Sequence, residues 1–302
     1  MFWQRNKKKT VAVHDGHFHT DDVFAVAILS LALKGNIKVT RTRDIEVIRK
    51  SDYALDVGRE YDPSRNRFDH HQPGVPVRSN GVPYAACGLV WKHFGDKIAG
   101  SSDAAKIIDE KIIQVVDAQD SAINTHNRII DGLEPYLFID YIFGLNPTWK
   151  EKNVTPYERF LVAVEKVKAM LVHEIKRAKD YLEGVEIVNK IYRETTDKRI
   201  IVLDDQYSWK KVLAEYPEPL FVVRPVFDSG VWYASAVQIK DQKFVNRANF
   251  PAAWGGKDGE EIKKITGVPD AVFCHAGLFM CSAKTKEGAI ALAKLALEDK
   301  SL

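Results

Sequence analysis

The ten residues VHDGHFHTDD, at positions 13–22, carry six side chains that can ligate a divalent metal ion: His14, Asp15, His17, His19, Asp21 and Asp22. Imidazole and carboxylate ligands without a thiolate suit a hard or borderline ion such as manganese or magnesium. The alternative is a polar loop whose last two aspartates complement the dipole of a following helix. The density of candidate ligands favours the metal site.

Three later segments contribute side chains of the same types: Asp56 in LDVG, Asp69, His70 and His71 in RFDHHQ, and Asp117 and Asp120 in VVDAQD. In an extended segment adjacent side chains diverge, so one histidine of the second segment can ligate a metal while the other contacts a substrate. Each segment has a structural alternative. Asp56 could be a turn aspartate, RFDHHQ could be a surface loop, and VVDAQD could be the solvated face of a helix.

Aspartates and histidines from separated segments suit two metal ions roughly 3.5–4 Å apart that share a bridging carboxylate. Such a pair activates a water and neutralises a phosphoryl group, which predicts phosphate-ester hydrolysis. Two weaker candidates lie elsewhere. Arg43 follows a predicted strand and could bind phosphate or pair with an acid. His275 precedes Gly277, whose missing side chain permits a close backbone approach to phosphate.

The elements that position these residues begin with predicted strands at 10–14, 37–41 and 53–57 and a buried helix at 21–33. This series favours a parallel sheet flanked by helices, in which ligands bind beyond the carboxyl ends of the strands. A capping box at Thr155–Glu158, with proline at the first helical position, starts a long amphipathic helix over 156–183. We expect Gly184 to end it and to separate a domain at 1–184 from another at 185–302.

Composition is that of an ordinary globular protein of about two domains. The 302 residues are 45% hydrophobic and 28% charged, with a net charge of +3. Charges interrupt every apolar run before it reaches the length of a membrane helix, and the first residues lack the apolar stretch of a secretory signal. We therefore expect a cytoplasmic protein. The three cysteines show no CxxC spacing, which disfavours a disulfide framework or a structural zinc site.

Several segments together resemble one known family: VHDGHFHTDD, DVGREYDPSRNRFDHHQ, VVDAQD, LNPTW, PAAWGG and TGVPDAVFCHAG. It is the melanocyte-proliferating-gene exonuclease family, also called uncharacterised protein family 0160 or "metal-dependent protein hydrolase", of the DHH phosphoesterase superfamily. The resemblance implies an α/β fold: a DHH-type N-terminal domain with a mainly parallel sheet flanked by helices, and a smaller α/β C-terminal domain. It also implies an active site in the cleft between them and a two-metal phosphodiesterase. Eukaryotic relatives are regarded as 3′–5′ RNA exonucleases.

The resemblance also implies roles for individual residues. One metal would be held by His14, His19 and Asp56, and the other by Asp21, Asp56, His70 and Asp117, with Asp56 bridging. The catalytic residues would be Asp56, as the bridging ligand, and His71, which would contact the scissile phosphate. His275 and Gly277 would help to hold the substrate. Further ligands or supporting residues would be Asp15, His17, Asp22, Asp69 and Asp120.

Departures from the family pattern leave some of these assignments open. The first loop is one residue longer than usual, so His14, Asp15 and His17 are alternatives for its first ligand. Arg59 stands where the family usually has the second glycine of DVGG. Cys281-Ser282 replaces a Gly-Gly pair in the C-terminal domain, which weakens the phosphate contacts expected there.

The sequence thus predicts a manganese- or magnesium-dependent phosphodiesterase, a 3′–5′ exonuclease on RNA or short oligonucleotides. Manganese is preferred because imidazole suits it better than magnesium. One alternative is a small-molecule phosphoesterase acting on dinucleotides or pyrophosphate. Another is a nucleic-acid-binding protein whose metal site is structural. We expect the protein to bind an RNA or oligonucleotide substrate and not a membrane. The sequence leaves open whether the chain forms a homo-oligomer.

Overall fold

The structure is a computed structural model that describes residues 7–126, 130–242 and 244–299. The chain divides into two compact units, one reaching to Lys179 and the other beginning at Asp180. Among the described residues, no helix combines the length and the apolar character of a membrane span.

The first unit contains a five-stranded sheet and the helices around it. Its elements in chain order are β1 (Lys9–Val13), α1 (Thr20–Ala32), β2 (Ile37–Arg41), α2 (Ile45–Lys50), β3 (Tyr53–Leu55), β4 (Tyr61–Asp62), β5 (Arg67–Phe68), α3 (Ala86–Ala99), α4 (Ser102–Ile108), α5 (Gln114–Asp120), α6 (Phe138–Phe143) and the start of α7 (Pro156–Glu194). The strand order is β2-β1-β3-β5-β4, and only the β4–β5 pair is antiparallel. The predicted mainly parallel sheet flanked by helices is confirmed.

Burial explains why this sheet forms. The last three residues of β1 are fully buried, and α1 buries almost every residue because it is apolar on most of its faces. The adjacent parallel strands β1, β3 and β5 end at Val13, Leu55 and Phe68. A polar segment follows each of these three ends, so the polar residues meet at one edge of the sheet.

Helix α7 begins as the sequence predicts and ends later. Thr155 and Glu158 exchange the two hydrogen bonds of a capping box, 3.0 Å and 3.2 Å long. The prediction that Gly184 ends the helix is wrong, because the helix continues to Glu194. A glycine inside a helix costs about 1 kcal/mol. The buried side chains of Val188 and Tyr192, one and two turns further on, offset that cost.

The second unit is a smaller α/β unit, as predicted. After the end of α7 it contains β6 (Ile200–Val202), α8 (Lys210–Ala214), β7 (Phe221–Pro225), β8 (Trp232–Ala236), α9 (Gly259–Thr266), β9 (Ala271–Cys274), β10 (Met280–Ala283) and α10 (Lys286–Glu298). The strand order is β6-β7-β8-β10-β9, with β6–β7 parallel and the other pairs antiparallel. Helix α10 packs its buried residues on this sheet, and the end of α7 packs with Trp209 in a second cluster.

Candidate metal centre

Asp56 lies at the centre of the polar edge of the first sheet. It directly follows β3, and its backbone N–H donates to the Phe68 carbonyl of the next strand at 3.0 Å. Its φ of +53° falls in the left-handed region, which is unfavourable for most residues other than glycine. The side chain is 3% exposed. The fold therefore holds a carboxylate in a strained backbone position, where it faces the loops after β1 and β5.

One oxygen of Asp56 lies in a group with His14 and Asp22. His14 Nε2 is 3.3 Å from Asp56 Oδ2 and 3.0 Å from Asp22 Oδ2. The opposite ring nitrogen, Nδ1, lies 2.8 Å from the carbonyl of Asp15, which accepts its proton in the neutral tautomer. That tautomer turns the lone pair of Nε2 toward the two carboxylates, as in a metal-ligating histidine.

The other oxygen of Asp56 lies in a second group, with His70 and His71. Asp56 Oδ1 is 3.2 Å from His70 Nε2 and 3.5 Å from His71 Nδ1. A third group contains His19, Asp21 and Asp120, whose ligand atoms lie within 4.8 Å of one another. His70 Nε2 adjoins that group too, at 3.7 Å from Asp21 Oδ2 and 3.5 Å from Asp120 Oδ2.

The electrostatics of these groups require positive charge. Burial raises the pKa of Asp21 well above its usual range, and the nearby Asp56 and Asp120 raise it further. Burial disfavours the charged form of His14, but its contacts with Asp22 and Asp56 outweigh this and raise the pKa of His14 to about 10. Burial opposes ionisation of Asp56 as well, yet His14 and His70 lower its pKa to about 2.

Unsatisfied atoms show that the residues fit metal ions. Four buried ligand atoms have no hydrogen-bond partner among the described residues: His14 Nε2, Asp21 Oδ1, Asp22 Oδ2 and Asp56 Oδ1. His14 Nε2 and Asp22 Oδ2 are close enough for a hydrogen bond, but their directions do not suit one. Buried polar atoms without partners are costly, and atoms that converge on a cation lose this penalty. The donor set therefore fits divalent cations.

Asp69 supports the site from outside these groups. One carboxylate oxygen accepts from the backbone N–H groups of His70 and His71, at 2.7 Å and 3.1 Å, and lies 2.7 Å from His71 Nδ1. The other accepts from the Arg59 N–H at 2.6 Å. Asp69 is 1% exposed, whereas the ring of His71 is 54% exposed. A donor at Nδ1 leaves His71 Nε2 available to a substrate.

Asp117, which the sequence predicted as a metal ligand, belongs to none of the three candidate ligand groups among the described residues. One oxygen accepts from the N–H groups of Ala85 and Gly88, each at 3.1 Å, and the other pairs with Arg78. Burial nevertheless raises the pKa of Asp117 to about 6, against the opposing effect of Arg78. Asp120, one helical turn further along α5, lies in the third group instead. No spacing in the sequence indicated that Arg78 pairs with this aspartate.

The remaining predicted residues lie at the edge of the centre or outside it. Of the three alternatives for the first ligand, only His14 lies in a candidate group, because Asp15 pairs with Arg43 at 3.1 Å and His17 stacks on Phe143 at 6.2 Å. In the second unit, the N–H of Gly277 donates to His275 Nδ1 at 2.9 Å.

Two structural features go beyond what the sequence predicted. Arg41, at the end of β2, donates to the carbonyls of His14 and Gly16 at 3.1 Å and 3.0 Å, and so fixes the ligand loop. A cavity of about 310 Å³ also opens beside the centre. It is lined by His14, His19, Arg43, Ile45, Ile48, Asp56, Val57, Gly58, Arg59, Asp69 and His71.

Comparisons with known proteins place similar chains in many eukaryotes. A family described as an uncharacterised protein family, UPF0160, matches residues 10–297. The MYG1 protein of Dictyostelium discoideum is 30% identical, over 94% of this chain and 95% of its own length. The human MYG1 exonuclease is 26% identical, over 96% of this chain and 86% of its own length. A pGpG-specific phosphodiesterase from Vibrio cholerae is 13% identical over 97% of this chain and 98% of its own, at a TM-score of 0.33, which is too low to support an inference.

Proposed function

This chain belongs to the MYG1 exonuclease family, UPF0160, and from that premise we propose that it is a metal-dependent phosphodiester hydrolase. The observation that carries the proposal is the position of Asp56. Its Oδ2 lies 3.3 Å from His14 and its Oδ1 lies 3.2 Å from His70, so one carboxylate belongs to two candidate ligand groups. A carboxylate shared in this way is the bridging ligand that a two-metal phosphoesterase needs.

The proposed cofactors are two divalent cations, with manganese preferred over magnesium. One would be held by His14, Asp22 and Asp56, and the other by His70 with Asp56 and the third group of His19, Asp21 and Asp120. Such ions, when bound, supply the charge that activates a water and stabilises the phosphoryl transition state. The histidines in these groups favour manganese, because imidazole is a better ligand for it than for magnesium.

His71 is the proposed acid–base residue. Asp69 fixes its Nδ1 at 2.7 Å, and its exposed ring lines the cavity beside Asp56. In the neutral ring Nδ1 carries the proton, so Nε2 can accept one; once protonated, Nε2 can deliver that proton to the leaving oxygen. The same carboxylate oxygen accepts hydrogen bonds from the backbone N–H groups of His70 and His71, which fixes the backbone that carries the two rings.

The proposed substrate is RNA or a short oligonucleotide, degraded from the 3′ end in the cytoplasm. The support is membership of a family in which the human relative is named an exonuclease. A small-molecule phosphoesterase is a second candidate. The observation that favours it is the cavity of about 310 Å³, which is suited to a single nucleotide rather than a long strand.

A hydrolysis panel with added manganese tests the proposal. It compares 5′- and 3′-labelled single-stranded RNA, the same DNA sequence, dinucleotides, pyrophosphate and bis(p-nitrophenyl) phosphate, for wild type and Asp56→Asn. We expect stepwise shortening of RNA from the 3′ end that disappears in the variant. Turnover of dinucleotides or pyrophosphate alone would identify a small-molecule phosphoesterase. If no substrate gave turnover sensitive to Asp56→Asn, the catalytic proposal would be wrong.

A further inference from the structure

Arg59 occupies a backbone position that suits glycine. Its φ is +54°, in the left-handed region, and it follows Gly58, whose φ is +100°. A non-glycine residue in that region pays a steric cost that glycine does not. The N–H of Arg59 is fixed by Asp69 at 2.6 Å, so the backbone cannot relax without disturbing the carboxylate that orients His71. The chain therefore keeps a large cationic side chain where the backbone alone favours glycine.

The charge of Arg59 is not used to hold the fold. The residue is exposed, and within the described ranges its guanidinium makes no hydrogen bond or ion pair. The next arginine along the chain, Arg65, differs in this respect, because it pairs with Glu60. The hydrogen bond to Asp69 needs only the backbone of Arg59, so it does not explain why an arginine stands at this strained position. Strained backbone positions cluster at functional sites.

Arg59 lines the same cavity as the candidate metal centre. Arg43 lines that cavity too, and its Nη2 lies 3.5 Å from His14 Nδ1. Part of the wall is apolar, formed by the side chains of Ile45, Ile48 and Val57. The cavity thus combines two guanidinium groups and an apolar surface next to His14 and Asp56. Guanidinium groups bind phosphate through paired N–H donors, and an apolar wall suits a ribose or a base.

We propose that Arg59, assisted by Arg43, binds a phosphate monoester carried by the terminal nucleotide of the substrate. This inference rests on the proposed function and narrows its substrate class to oligonucleotides whose terminal nucleotide bears a phosphate. The scissile phosphodiester lies at the metal centre, and the terminal phosphate lies at the arginines. The volume of about 310 Å³ limits the cavity to about one nucleotide, so that a terminal unit is selected over an internal one.

The test compares Arg59→Gly with wild type on short RNA oligomers that carry a 3′-phosphate, a 5′-phosphate or hydroxyls at both ends. Glycine suits the backbone at this position, so the variant keeps its fold. For wild type we expect kcat/KM to be about tenfold higher with a phosphate on the nucleotide that is released than without it. In Arg59→Gly this ratio should fall to about one, with the loss mainly in KM. The end whose phosphate gives the preference, 3′ or 5′, is the end that the arginines bind.

Arg65→Gln is the matched control, because it removes the same charge from a nearby residue that does not line the cavity. It should keep the wild-type ratio. An equal loss in both variants would indicate a long-range effect of net charge and overturn the assignment. A wild-type ratio near one, or a ratio unchanged in Arg59→Gly, would overturn it as well.

A binding measurement separates this inference from the proposed function. Fluorescence polarisation with hydrolysis-resistant, phosphorothioate-linked tetramers, in manganese, needs no turnover. End-phosphorylated tetramers should bind wild type about tenfold more tightly than unphosphorylated ones, and Arg59→Gly should bind both alike. If this difference in binding were seen but no substrate were hydrolysed, the phosphate-binding site would be supported and the proposed enzymatic function would be wrong. If substrates were hydrolysed but the tetramers bound alike, the phosphate-binding site would be wrong and the proposed enzymatic function would stand.

Discussion

Replacing Asp21 by asparagine is expected to stabilise the metal-free protein and to weaken its stabilisation by manganese. Asp21 is 1% exposed, and its Oδ1 has no hydrogen-bond partner among the described residues. Its ligand oxygen lies within 4.8 Å of that of Asp120. Two ionised carboxylates at that distance repel each other by about 3 kcal/mol at an effective dielectric constant of about 20. Asparagine has nearly the same shape and removes this charge.

The expected gain follows from that repulsion. Proton uptake already relieves part of it in wild type, because the pKa of Asp21 is raised by burial and by its acidic neighbours. We therefore expect the free energy of unfolding without metal to rise by about 1–3 kcal/mol. For a unit of this size, the gain corresponds to a rise of roughly 3–10 °C in the midpoint of thermal unfolding. Calorimetry of the chelator-treated protein at pH 7.5, with and without added manganese, measures both effects.

Asp69→Asn is the matched control, because Asp69 is also 1% exposed but lies among donors instead of acids. Its two oxygens accept from the N–H groups of Arg59, His70 and His71. An amide nitrogen facing one of these donors should cost about 1–3 kcal/mol. Asp69→Asn should therefore lower the midpoint without metal, while manganese still raises it. If Asp21→Asn lowered the midpoint to a similar extent, or kept the full stabilisation by manganese, Asp21 would not be a metal ligand.

Three further predictions concern other parts of the account. His71→Gln should lower kcat by a factor of about 10²–10⁴ and leave the affinity for manganese unchanged. Steady-state kinetics and a manganese titration measure the two quantities. A loss of manganese affinity would mean that His71 is a metal ligand instead. Because the pKa of His14 is raised to about 10 in the folded, metal-free protein, its contacts with Asp22 and Asp56 should stabilise the fold fully below pH 6.5 and progressively less up to pH 10. Denaturant titrations across this range should show that decline in wild type but not in His14→Gln, and an equal decline in both would contradict it. Gly184→Ala should raise the free energy of unfolding by about 0.5–1 kcal/mol, since the added Cβ would lie 3.7 Å from Tyr207; a loss of stability in calorimetry would mean that the helix does not continue through this residue.

The sequence predicts the sheet and most of the centre because local patterns carry both. Buried strands that end in polar residues predicted where His14 and Asp56 would meet, whereas His70 follows β5, a two-residue strand that the sequence did not predict. Each of these residues directly follows a strand or lies within two residues of its end. Parallel neighbours then bring the three strand ends to one edge, and this depends only on the sheet type.

What the sequence could not predict depends on contacts between distant residues. Asp117 and Asp120 are equivalent in the motif, and only the position of Arg78 in the fold decides which of them pairs with an arginine. Gly184 is a typical helix end by local rules, but burial of Val188 and Tyr192 extends the helix past it. The strained φ of Arg59 and the cavity that it lines also require the backbone, because no residue pattern encodes either.

The central claim is that Asp56 bridges two metal ions, and anomalous diffraction from manganese-soaked crystals tests it most directly. A difference map recorded near the manganese absorption edge should contain two peaks roughly 3.5–4 Å apart. One oxygen of Asp56 should contact each peak, with His14 on one side and His70 on the other. A single peak, or two peaks that do not share Asp56, would contradict the account.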